Sequence, residues 1–127
     1  MQNIPLERQR FQRRLSQEIS RSTRFDRPFV LVLFEASPSR DGLSFQKKLL
    51  LGEKIIRASL RDYDVLAPVY DDVLATLMLE TSPAGAQAAL HRLRGRLAMH
   101  AGNWSIEIYA FPAQAIDIAQ LPMLRAA

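Results

Sequence analysis

Apolar residues change their spacing several times along this chain, and each change marks an element. Phe11, Leu15 and Ile19 recur every four residues with arginine and glutamine between them. That is a narrow apolar stripe on a polar helix, predicted over about residues 6–24. After Pro28 comes Phe29-Val-Leu-Val-Leu-Phe34, apolar without alternation, as in a central strand buried on both faces. Ser37-Pro-Ser-Arg-Asp-Gly42 is a turn cluster. Ser44 is a cap for a helix predicted at about 45–61, whose apolar positions include Phe45, Leu49, Ile55, Ile56 and Leu60. Asp64 to Val69 and Val73 to Leu79 read as two strands joined by a short turn at Tyr70-Asp71-Asp72. Ser82-Pro83 opens a third helix, with the serine as cap and the proline in its first turn. Ala86, Ala89, Leu90, Leu93 and Leu97 give that helix its buried face, and Gly102-Asn103 separates it from a strand at 104–111. Ala115 to Leu121 fits either a helix or a short last strand.

The resulting order is helix, strand, helix, hairpin, helix, strand. A hairpin between helices predicts an α/β (α+β) domain: a mixed, mainly antiparallel sheet with helices packed on it, not a doubly wound parallel sheet. Palm-like nucleotide cyclases and polymerases use this arrangement, as do ferredoxin-like domains. The 127 residues suit a single domain over 1–127, with the basic helix at about 6–24 and the core at about 28–111. No apolar run reaches the length of about 20 residues that spans a bilayer, so membrane insertion is not expected. The N-terminus has no apolar core of a secretory signal. There is no cysteine, which excludes disulfides and thiolate metal sites and is compatible with the expected cytoplasmic location.

Charge changes the picture at one place. Residues 7–27 hold seven arginines (Arg8, Arg10, Arg13, Arg14, Arg21, Arg24 and Arg27) against Glu7, Glu18 and Asp26, which is seven minus three, or +4. The whole chain is also +4, so the other charged residues balance, ten against ten. The basic character belongs to the N-terminal segment, which points to a solvated helix face, or to a helix that docks on a protein partner or self-associates. Nucleic acid is not the expected partner, because interleaved aromatics and a recognisable nucleic-acid motif are missing. His91 and His100 have no second ligand at metal spacing. No serine sits in a G-x-S-x-G elbow. Trp104 and Tyr109 are expected in sheet packing, and Arg92, Arg94 and Arg96 on a solvated helix face.

The stretch Arg61 to Leu79, RDYDVLAPVYDDVLATLML, resembles the centre of a bacterial GGDEF domain, the module that makes cyclic di-GMP. The resemblance runs from about Leu6 to Phe111 and implies a GGDEF/palm-like nucleotide cyclase fold. The arginine-rich helix followed by Arg27-Pro28-Phe29 is how such domains begin. In the family the first strand ends in Asp-x-Asp; ungapped from Pro28, the metal-binding first aspartate becomes Glu35 and the second acid Ser37. Asp72 falls on the third letter of the signature, the other metal carboxylate. Two acids at adjacent strand ends would suit Mg²⁺, although Asp71-Asp72 is also an acceptable turn pair.

The departures from the family pattern are heavier. Paired glycines let backbone approach a triphosphate, and Tyr70 and Asp71 fill that space here, Asp71 with the wrong charge. The fourth signature residue, an acid in the family, is Val73. The Asn and Asp that hold guanine have no counterparts between Ser37 and Gln46, and no lysine follows Lys54. A phosphoryl-transfer site works by positioning and charge compensation, so the expectation is a catalytically silent domain with no cofactor. One feature survives. Arg61-Asp62-Tyr63-Asp64 spells the family's inhibitory Arg-x-x-Asp at its proper distance before the signature. Some catalytically dead relatives use it to sense cyclic di-GMP, so the resemblance implies that dinucleotide as a ligand of Arg61 and Asp64. The competing reading makes Arg61 the basic last turn of a helix and Asp64 the start of a strand.

Overall fold

The computed structural model describes residues 6–38 and 44–112. Its elements are α1 (Leu6–Phe25), β1 (Phe29–Ala36), α2 (Phe45–Ser59), β2 (Val65–Tyr70), β3 (Val73–Leu79), α3 (Pro83–His100) and β4 (Trp104–Phe111). The ambiguous segment Ala115 to Leu121 lies outside the described residues. The strands form one sheet in the order β2-β3-β1-β4. All three pairings among them are antiparallel, so the expected mainly antiparallel sheet is antiparallel throughout its described strands.

β1 sits between β3 and β4, as its unbroken apolar run requires. Successive side chains on a strand point to opposite faces. Phe29, Leu31 and Leu33 join Phe11 and Leu15 of α1 in one core. Val30, Val32 and Phe34 join Ile56 of α2 and Ala86, Leu90, Leu93 and Leu97 of α3 in the other. The domain therefore has three layers, with α1 alone on one face of the sheet and α2 with α3 on the other. Stacked rings of Phe29 and Phe111, 4.7 Å apart, close the first core at the edge of β4.

Local signals set the element ends. Ser44 and Ser82 accept hydrogen bonds from the backbone N–H groups of Lys47 and Gly85, so both expected N-caps are formed. α2 ends at Ser59, two residues before the expected limit, because Leu60 adopts extended φ −95°, ψ 155°. Its N–H still donates to Arg57 O at 3.2 Å. Immediately beyond, the Asp64 carboxylate captures the Arg61 N–H, which turns the chain toward β2.

The buried face of α2 consists of Lys48, Gly52 and Ile56, one per turn. Gly52 is there because Trp104 lies against the helix backbone. A Cβ at position 52 would stand 2.4 Å from Trp104 Cζ2 and 2.7 Å from Cη2. The indole is itself fixed, its N–H donating to Ala101 O at 2.8 Å. Gly52→Ala is therefore expected to destabilise the fold by about 1–3 kcal/mol, as an overpacked core does. Urea unfolding checks this. In a Trp104→Phe background the same substitution should cost less, since the clashing benzo ring is gone.

Candidate functional site

Chemistry-bearing residues gather at the two opposite ends of β3. At the hairpin end, β1 finishes between two neighbours. Ala36 N–H donates to Asp72 O at 2.9 Å and Ser37 N–H donates to Asn103 O at 3.0 Å. Glu35 pairs with Val73 across the ladder, which places it beside the hairpin that carries Asp72. The two expected metal carboxylates are thus brought to adjacent strand ends, both half-buried. Among the described residues, no group of three or more His, Cys, Asp or Glu is placed to hold a metal ion. Mg²⁺ prefers several oxygen ligands, so two carboxylates would need water and substrate oxygens to complete a shell.

The hairpin residues differ in direction. Tyr70 turns its ring toward α1, packing on that core, with the Arg8 guanidinium 4.3 Å from the ring centroid. Arg8 is only 4% exposed. The bulk expected in the approach to the turn is therefore clamped under α1, and Asp71 alone stands exposed there with its negative charge. Sequence reasoning did not single out Lys48. Its side chain is 1% exposed, and its Nζ donates to Ser37 O at 2.6 Å, which ties α2 to the end of β1. The available signal was a lysine on the same helix stripe as Gly52 and Ile56.

At the other end of β3 lies Arg61-x-x-Asp64. The structure brings these two residues together. Asp64 Oδ2 accepts from the Arg61 N–H at 2.9 Å, and Asp64 N–H donates back to Arg61 O at 3.0 Å. Asp64 Oδ1 accepts from the Leu79 N–H, also at 2.9 Å, which pins the loop to the end of β3. The Arg61 side chain is exposed, and its Nη1 donates to the Tyr63 hydroxyl at 2.6 Å. That hydrogen bond, aided by the nearby Asp64 carboxylate, raises the guanidinium above its ordinary value. Tyr63 also lines a half-open cavity of about 200 Å³. Pro28, Phe29 and Leu79 supply apolar surface there, while Arg21 and Arg27 bring positive charge. Glu18 and Glu80 balance it: Arg21 lies 3.5 Å from Glu18, and Arg27 lies 3.5 Å from Glu80. None of these cavity residues was legible as part of a site.

Neither a protein-family model nor a curated protein matches the sequence. Solved structures do. A DGC protein from Thermotoga maritima superimposes with a TM-score of 0.71 at 19% identity, covering 83% of this chain and 80% of that one. The FimX GGDEF domain from Pseudomonas aeruginosa gives 0.66 at 22% identity, covering 81% and 72%. This chain has a GGDEF-domain fold. Diguanylate cyclase SiaD from Pseudomonas aeruginosa, seen in complex with its activator SiaC, gives 0.65 at 19% identity, covering 81% of this chain and 45% of that one. At such identities the likeness is one of fold, and the site must be argued from the residues.

The Asp64 contacts lead to a stability test. Asp64→Ala leaves the half-buried Leu79 N–H without its partner and should cost about 1–3 kcal/mol in urea unfolding. Arg61→Ala, at an exposed side chain, should stay within about 0.5 kcal/mol of the parent.

Proposed function

We propose that this domain is a non-catalytic GGDEF-like regulatory module that binds cyclic di-GMP at Arg61 and Asp64. The observation that carries this reading is the arrangement of Arg61: an exposed guanidinium hydrogen-bonded to Tyr63, which itself lines a cavity. A guanidinium fork suits phosphate oxygens or a guanine edge, and the Tyr63 ring offers a face for a base. Each Asp64 oxygen accepts one backbone N–H, and a carboxylate oxygen has a second lone pair for a guanine N–H. The catalytic end supports the silent half of the reading. Asp71 presents negative charge where a triphosphate would approach, Val73 replaces an acid, and no lysine follows Lys54. The module would then need no metal and act through contacts with another protein.

A second reading, a protein-binding scaffold without a nucleotide, is favoured by one observation: both Asp64 oxygens already serve the fold. That SiaD was seen in complex with its activator shows a GGDEF-fold protein engaged by another protein.

Calorimetry with cyclic di-GMP separates the two. The receptor reading expects saturable binding by the parent and at least tenfold weaker binding by Arg61→Ala, since hydrogen bonds to a charged group are worth about 1.5–3 kcal/mol. No heat with the parent, or equal binding by folded Arg61→Ala, overturns it. A stoichiometric partner that co-purifies and ignores the dinucleotide would then support the scaffold.

A further inference from the structure

α1 presents a basic face to solvent, of which Arg21 also reaches the cavity beside Tyr63. At about 100° per residue, Arg10, Arg13, Arg14, Arg21 and Arg24 fall within an arc of about 100°, centred about 130° round the helix from the face that Phe11 and Leu15 bury. Glu7 is the exposed acid at the edge of this stripe; Glu18 is buried at its side, 3.0 Å from Arg14 and 3.5 Å from Arg21. The stripe has an apolar residue at each end. Leu6 is 56% exposed and Phe25 61% exposed, about 30° and about 70° from the axis of the stripe. The Arg24 guanidinium lies 5.6 Å from the Phe25 ring centroid, so the aromatic end and the cationic stripe are contiguous. A helix of 20 residues separates these ends by about 30 Å. Its roll is fixed from beneath by Phe11 and Leu15 and by Arg8 against Tyr70, so the same face always points outward.

We propose that this face of α1 docks on an anionic phospholipid surface, lying parallel to it. The arginines would meet lipid phosphates, and Leu6 and Phe25 would enter the boundary between headgroups and acyl chains. Three observations select a bilayer. The balance of charge outside the N-terminal segment leaves α1 as the positive face that an anionic plane would orient. Apolar side chains exposed at both ends of a cationic rod gain from a surface with an apolar interior, whereas a nucleic-acid duplex offers them phosphate and water. No aromatic interrupts the stripe between its ends to stack on bases. Among the described residues no helix is long and apolar enough to cross a membrane, so contact is at the surface. This inference is independent of the dinucleotide reading.

Co-sedimentation with vesicles tests it directly. Vesicles of phosphatidylcholine with about a third phosphatidylglycerol should bind the protein at low salt, less so as salt screens the charges, and pure phosphatidylcholine should not. Gln at positions 10, 13 and 24 removes exposed charge without touching the Glu18 pairs. Each of Arg10→Gln, Arg13→Gln and Arg24→Gln should weaken binding about fivefold, and the three together should abolish sedimentation, with an unchanged thermal melt. Phe25→Ser should weaken binding further with the same salt dependence. Equal binding to neutral vesicles, no binding to anionic ones, or retention in the folded triple variant overturns the proposal. So does tighter binding of a short DNA duplex than of anionic vesicles at the same salt.

Discussion

β1 has no solvent face, and the remaining layers are arranged around that fact. Its alternate residues supply both cores: Phe29, Leu31 and Leu33 toward α1, Val30, Val32 and Phe34 toward α2 and α3. Burying one such side chain is worth about 1.5–3 kcal/mol, so a strand with six of them demands a partner on each face and a strand on each flank. This dictates a central position and helices on both sides of the sheet. It also decides where chemistry can begin. Glu35 is the one residue of the strand to escape full burial, and the chain leaves the core after the buried Ala36, between Asp72 and Asn103.

The same strand geometry separates the two candidate regions. Glu35 lies opposite Val73 and Phe29 opposite Leu79, so the acidic hairpin end and the Arg61–Asp64 end are about 20 Å apart along β3. α1 touches both. Arg8 covers Tyr70 at the hairpin, and Glu18 and Arg21 line the cavity beside Tyr63. The arginine-rich helix is thus three things at once: a lid on one core, a wall of the cavity, and a cationic outer surface. Its buried face is set by Phe11 and Leu15, which leaves the outer face free to be selected for charge.

Much of this was legible in the sequence where the signal is local. The apolar run of β1, the serine caps of α2 and α3, and the hairpin itself all depend on neighbours in the chain, although its turn is Asp71-Asp72 alone, Tyr70 being the last residue of β2. Arg61 and Asp64 were legible as a pair for the same reason, being three residues apart. What was not legible depends on contacts between distant segments. Asp64 holds Leu79, fifteen residues on, and nothing in the spelling Arg-x-x-Asp announces that bond. Gly52 reads as a weakness in a helix until Trp104 is seen against it. Lys48 reads as a solvated charge, because a lysine on an amphipathic helix usually is one. Its burial follows from the way β1 and α2 meet. Tyr70 looked like an obstruction above the turn; its direction depends on Arg8, far away in sequence.

The central claim is that a GGDEF-domain fold persists here with its catalytic end silent, leaving the opposite end to bind. Incubating the purified protein with GTP and Mg²⁺, and separating the nucleotides by chromatography, tests that most directly. The account predicts no cyclic di-GMP and no loss of GTP above a protein-free control. Formation of the dinucleotide that disappears in Asp72→Ala would contradict it.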